Sequence, residues 1–271
     1  MSQIVDYSDH DYEKKFWKGK NREYEDLIDR LTIKKMLPSQ GAHILEMGAG
    51  FGRLCPEYAI RFRKVTLFEY APNLIAQARE RLKNLNHVSF VQGNVYELPF
   101  YNEEFDAALM VRVSHHLDNL PAVIERVYPA LKPYGVWILE IANKRHFLEV
   151  IRYLMKKTTI NPFAPETIDR TGKGFYNYHP RTVIKMLKDN GFKIKEVRSV
   201  SNFRNAILKR IFSFKFLAWL DMTLQLPLAY LWFGPSIYIK AVKLPNKVPS
   251  KIKPPKVVYA KPEITTQAAI S

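Results

Sequence analysis

Three glycines and two acids are the residues of this chain best placed to do chemistry. Glu46-Met-Gly48-Ala-Gly50-Phe-Gly52 puts a carboxylate two residues ahead of glycines repeating at every second position, and Glu69 closes the next apolar run. Glycine tolerates positive φ and lets a ligand approach backbone with no Cβ in the way. A carboxylate at the end of a strand can accept both hydroxyls of a ribose. A third candidate group is the pair His115-His116, whose imidazoles titrate near neutrality and can act as a general base.

The surrounding residues must position these groups. Ala42, Ile44 and Leu45 give a short apolar strand ahead of the glycines, and Leu54 to Arg63 reads as a helix after them. Strand, glycine turn and helix together aim free backbone N–H groups at a ligand. The dinucleotide fingerprint G-x-G-x-x-G would need its third glycine where Arg53 stands, so a nicotinamide oxidoreductase is disfavoured. Lys64 to Tyr70 reads as a second strand, Asn73 to Leu82 as a helix, and His87 to Gln92 as a third strand leading into Gly93-Asn94-Val95. Glu104 to Val111 makes a fourth strand and Leu131 to Glu140 a fifth.

This succession resembles the class I S-adenosylmethionine (SAM)-dependent methyltransferases, in the broad group with small-molecule and quinone-ring enzymes, from about Leu37 to Val200. The resemblance implies a Rossmann-like α/β fold: a doubly wound seven-stranded sheet with an antiparallel last strand, N-terminal helices, and a helical insertion before the last strand. It implies SAM as cofactor. Glu46, Met47, Gly48, Ala49, Gly50 and Gly52 would hold the methionine end. Glu69 and Tyr70 would take the ribose, and Asn94 and Val95 the adenine, where the family usually carries an aspartate at Asn94. Val111 and Arg112 leave the fourth strand into the crevice, so Arg112 to His116 would face cofactor and acceptor. His115, His116 or His179 would supply a base if the acceptor atom needs one. The Asn/Asp-Pro-Pro-aromatic motif of nucleobase-amine methylases is missing, which argues against a nucleic-acid acceptor. A non-catalytic member of the fold, binding a partner through its basic surface, is the alternative reading; an intact glycine turn and Glu69 argue against it.

At 271 residues with 47% hydrophobic composition, one α/β domain with additions is expected. Residues 1–36 would form an N-terminal helical cover; the resemblance places Tyr12, Phe16, Trp17 and Tyr24 in it, over the cofactor, while plain packing on the sheet edge is the favoured reading for any one of them. Residues 37–243 would be the catalytic domain and 244–271 a proline- and lysine-rich disordered tail. The single cysteine, Cys55, excludes a disulfide framework and a cysteine metal cluster, and no metal site is expected. With no basic region leading an apolar run at the start, a cytoplasmic location follows.

The formal charge is +16, of which the tail carries a net +4, so the body itself is basic. Residues 205–233 form an apolar insertion rich in Phe, Trp and Leu, interrupted by Lys215, Asp221, Gln225 and Pro227. Those interruptions disfavour a membrane span. The segment reads instead either as a lid over the pocket of a small or lipid-like acceptor, with peripheral membrane contact, or as a helical pair packed on the sheet with no substrate role.

Overall fold

The computed structural model describes residues 22–245 and the backbone of 257–259. Five consecutive parallel strands form the frame: β1 (Gly41–Met47), β2 (Phe62–Glu69), β3 (Val88–Gln92), β4 (Phe105–Met110) and β5 (Leu131–Ala142). Their centres are runs such as Ile44-Leu45 and Ala107-Ala108-Leu109, buried on both faces as a parallel sheet requires. The full order is β3-β2-β1-β4-β5-β9-β8. β9 (Ser236–Lys243) lies antiparallel between β5 and β8 (Phe192–Val200), as the resemblance implies. The seven-stranded Rossmann-like α/β sheet is therefore present, with its chain direction switching between β1 and β4.

Helices cover both faces. α1 (Glu23–Met36) carries Glu23, Glu25 and Asp26 in its first turn and Lys34 and Lys35 in its last, each sign complementing the helix dipole. α2 (Pro72–Arg81) follows β2, and α3 (Leu120–Ala130) follows β4 with the Asn119 side chain accepting from the Ala122 N–H. Then come α4 (Phe147–Leu154), short strands β6 (Thr167–Asp169) and β7 (Tyr176–Asn177), and α5 (Pro180–Asp189). Two further helices, α6 (Ala206–Ile211) and α7 (Phe214–Tyr230), make up the insertion.

Three expectations are corrected. Leu54 to Arg63 is no helix but two short 3-10 turns, Cys55–Glu57 and Ala59–Arg61. Pairing of Gly41 with Phe62 claims Phe62 and Arg63 for β2, and the eight residues left, with Pro56 among them, are too few for a packed helix. Asn161 to Phe175, with two prolines and two glycines, reads as a loop in the sequence but contains β6. Within the segment expected to be disordered, Val257–Tyr259 forms a strand, β10, parallel to β6. The rest of that tail beyond Pro245, and Tyr12, Phe16 and Trp17, lie outside the described residues.

The insertion does not close over the glycine turn. α7 packs on α1 and β8. Tyr24 is completely buried, its hydroxyl donating to Asp221 on α7 and accepting from the Phe203 N–H. Thus Tyr24 joins α1 to the insertion and lines no cofactor space. No described helix is long and apolar enough to cross a membrane.

Candidate cofactor and acceptor site

At the C-terminal ends of β1 and β4, where the strand order reverses, the sheet opens into a crevice. The pocket there encloses ≈ 950 Å³, its open mouth included. The three glycines on its rim have different jobs, read from what a Cβ would meet. At Gly48 (φ +65°) it would come within 2.2 Å of Val113 Cγ2, so close packing against the β4 exit requires glycine. At Gly52 (φ +73°) it would meet Leu82 Cδ1 at 2.8 Å; this glycine lets the turn approach the end of α2 and does not line the pocket. Only at Gly50 (φ +55°) is there nothing within 4 Å. That open side faces the pocket.

Both acids face the pocket and both are buried. Glu69 accepts three backbone N–H bonds, from Gly50 at 2.8 Å, Tyr70 at 2.8 Å and Ala71 at 3.0 Å. Burial nevertheless raises its pKa, against the lowering effect of the Ala71, Gly50 and Tyr70 donors. Glu46 accepts from the Tyr58 hydroxyl. Burial pushes its pKa up to about 7, with Tyr58 and Arg53 opposing and Glu69 adding to the rise. Two carboxylates thus sit in one pocket, one laced to the backbone and the other poised near neutrality.

A carboxylate from α1 locks the far wall. Asp29 is completely buried and accepts from Arg53 Nη2 at 3.0 Å, Arg112 Nε at 2.7 Å and the Tyr238 hydroxyl at 2.8 Å. Arg53 also reaches Asp26, and the Arg112 N–H donates to Glu140 at 2.9 Å. Arg112 holds φ +58°, uncommon for a residue with a Cβ. Arg53 and Arg112 both line the pocket, so α1 is coupled to it through Asp26 and Asp29.

Of the expected cofactor residues, Glu46, Gly48, Ala49, Gly50, Glu69, Tyr70, Val95, Val111 and Arg112 line the pocket. Met47 does not; its side chain lies wholly in the core, because alternation along β1 turns it away from Glu46. Asn94 does not either. Its side-chain oxygen accepts from the Tyr96 N–H at 2.9 Å and caps the turn that follows.

The histidines divide in the same way. His116 lines the pocket, while His115 stacks between His116 (4.0 Å) and Phe175 (4.6 Å) outside it. Burial lowers both pKa values, that of His116 to about 4, with His116 and Arg112 lowering His115 further. Phe175 is delivered by a loop gathered on Asp169, which accepts N–H bonds from Thr171, Gly172, Gly174 and Phe175. His179 lies in a separate depression with Arg145 and Arg181. Sequence reasoning missed Phe51, Arg53, Leu54, Phe68 and Leu74 as lining residues. The signal present was the Asp26/Asp29 spacing on one face of α1, which calls for cations opposite.

These residues fit SAM. The open side of Gly50, the acceptor site left on Glu69 Oε2 for a ribose hydroxyl, and Val95 beside Gly93 for an adenine edge all line the pocket. When bound, SAM supplies an electrophilic methyl on a sulfonium, and Glu46 lies where a positive charge gains from a carboxylate. Glu69→Ala is expected to weaken SAM by about 1–3 kcal/mol in isothermal titration, with Glu69→Asp between the two. Unchanged affinity in the alanine variant would refute the ribose role.

In sheet order and fold the chain is similar to the class I SAM-dependent methyltransferases. Residues 45–139 match the family model described as a methyltransferase domain. The chain is 26% identical over 174 residues, 60% of its length and 72% of the relative's, to the demethylmenaquinone methyltransferase of Tropheryma whipplei. It is 31% identical over 109 residues to the fatty-acid O-methyltransferase of Mycolicibacterium smegmatis, covering 40% of this chain and 39% of that one. A SAM-dependent methyltransferase from Mesorhizobium loti superposes with TM-score 0.56 at 16% identity, over 81% of this chain and all 100% of that one. The [4+2]-cyclase SpnF superposes with TM-score 0.55 at 17% identity, over 84% of this chain and 85% of that one. Those two structural likenesses speak for the fold alone.

Proposed function

We propose that this enzyme methylates a lipid-like small molecule, such as a prenylated ring or a long-chain acid, from a cytoplasmic location with peripheral membrane contact. The observation that carries this reading is the wall beyond β4. Val111, Val113 and Leu117 line it, with His116 uncharged at neutral pH, while the Arg112 guanidinium is engaged by Asp29. Such a wall suits an apolar acceptor and offers little to a charged metabolite. The quinone and fatty-acid acceptors named for the relatives support the same class.

The leaving group departs neutral, so the protein's task is to align the nucleophile and exclude water. Held by residues such as Gly50 and Glu69, bound SAM would supply the methyl carbon that the acceptor atom takes as the carbon–sulfur bond gives way to a neutral thioether. A proton displaced from the acceptor passes to His116 or to water. With a pKa of about 4, His116 is a weak base that is always available in its neutral form above pH 5 or so. His115 holds its ring and touches no acceptor space.

The test is methyl transfer from labelled SAM to a demethylated quinone, a long-chain fatty acid and a sterol, each in detergent, beside water-soluble catechol and amine acceptors. Product in any lipid class supports the reading. Product only from the water-soluble acceptors overturns it.

A further inference from the structure

α7 is built inside out. Along one stripe Ala218, Asp221, Gln225 and Ala229 are buried, and along the opposite stripe Phe216, Trp219, Leu226 and Tyr230 are exposed. A helix of a water-soluble domain normally does the reverse, turning its apolar stripe inward. The polar groups inside are not stranded. Asp221 accepts from Tyr24, the Asn202 N–H at 2.7 Å and Asn202 Nδ2 at 3.1 Å. Gln225 donates to Thr32 at 2.8 Å and accepts from Arg198 at 3.1 Å. This network fixes the rotation of α7, so the outward aromatics are held out by design of the sequence and not by fraying.

The exposed surface is large. Trp219 is 62% exposed, and Ile207 and Ile211 on α6 are 67% and 66% exposed. Phe212, Phe216 and Trp219 stack in a row at 5.3 and 5.9 Å between ring centres. A patch of this kind on a monomer marks an interaction site. Its charges name the partner. From Phe203 to Pro235 the only acid is Asp221, which is buried, whereas Arg204, Arg210 and Lys215 are exposed.

Aromatic and aliphatic side chains flanked by cations, with no exposed acid between Phe203 and Pro235, fit the interface of an anionic membrane. A second copy of this chain would bring the same cations against them and a further +16 of net charge. We infer that the α6–α7 face docks on an anionic membrane surface, with Trp219 and the adjacent phenylalanines entering the headgroup region and Arg210 and Lys215 pairing with lipid phosphates. The inference rests on the lipid-like acceptor reading for its purpose, since docking would bring such an acceptor to the enzyme. α7 is joined to α1, and α1 to the pocket wall through Asp29, so docked and catalytic parts form one packed unit.

The experiment is flotation of the full chain with phosphatidylcholine vesicles, with and without phosphatidylglycerol, at low and high salt. Bromolipid quenching of tryptophan emission is read in parallel. Expected are flotation with the anionic vesicles that fades with salt, and quenching that disappears in Trp219→Phe. Arg210→Glu with Lys215→Glu should weaken binding about tenfold or more. Phe216→Ser with Trp219→Ser, which leaves the Asp221–Gln225 face untouched, should abolish it while melting as the wild type does. No flotation on either vesicle, or flotation indifferent to these variants, overturns the inference. Dimerisation abolished by Phe216→Ser with Trp219→Ser would also overturn it, in favour of a second copy. Detergent-solubilised acceptor methylated by a chain that does not float would sink the docking alone. Flotation without methylation of any lipid acceptor would sink the acceptor reading alone.

Discussion

Asp29→Ala is expected to cost about 3–5 kcal/mol of stability, because it removes the buried carboxylate shared by Arg53 and Arg112. Asp29 lies on the inner face of α1, completely buried, with Arg53, Arg112 and Tyr238 around it. Burial alone would raise its pKa, but Arg112 and then Arg53 outweigh that and hold it below the usual carboxylate value. The carboxylate is therefore ionised in the fold. Its contribution is fully present above the ordinary value of 3.8 and is lost as the pH falls through the lowered one.

Removal leaves Arg53 with Asp26 on the rim, whereas the Arg112 guanidinium loses the carboxylate that engages it from two sides. At this chain length a loss of that size lowers the melting temperature by roughly 10 °C. SAM affinity should fall with it, since both arginines line the pocket. Asp29→Asn should fall between, keeping one acceptor oxygen but no charge. Chemical denaturation and titration calorimetry on the three proteins decide it. An alanine variant melting like the wild type would mean that α1 is not latched to the site.

How much of this was legible in the sequence follows from the range of the interactions concerned. The parallel strands were legible because their apolar runs are local and their order is set by short crossovers. Glu69 was legible as the acid closing β2, and Gly50 as a glycine lining the crevice. Gly52 was misassigned because its glycine requirement comes from Leu82, a contact across the turn that spacing does not reveal. Asn94 looked like an adenine partner, but a short polar side chain ahead of a turn is as well suited to capping it, and Tyr96 takes that oxygen.

The latch was hidden for the same reason. Asp29 meets Arg53 across 24 residues of sequence and Arg112 across 83, and the Asp26/Asp29 spacing calls for cations without naming which ones. For the insertion, the apolar composition was plain but its facing was not. Reading Asp221 and Gln225 as interruptions of an apolar helix missed that they are its inward anchors, since the partners Tyr24, Thr32 and Arg198 come from α1 and β8.

SAM binding is expected to tighten about tenfold between pH 6 and pH 8 if it requires ionised Glu46, and to do so through that one group. Burial raises the Glu46 pKa to about 7, so at pH 6 most molecules carry a proton there and at pH 8 most do not. A sulfonium or ammonium beside the carboxylate favours the ionised form, so binding releases a proton and affinity climbs as the pH passes 7. Glu46→Gln removes the titration while leaving an oxygen to accept from Tyr58, and its affinity should be weaker at pH 8 but flat. Stability moves the opposite way. The folded chain holds the Glu46 proton to higher pH than the unfolded chain, whose value is the ordinary 4.5. The stabilising contribution is complete below 4.5 and is lost as the pH rises through about 7. Without ligand, then, Glu46→Gln should melt with the wild type at low pH and above it at pH 8. Glu69, also raised by burial, remains in the variant and leaves a residual slope of the same sign. Calorimetric titration with SAM at pH 6, 7 and 8, paired with thermal melts, measures both arms. Parallel affinity curves for the two proteins would place the titrating group elsewhere and leave Glu46 as a buried partner of Tyr58 alone.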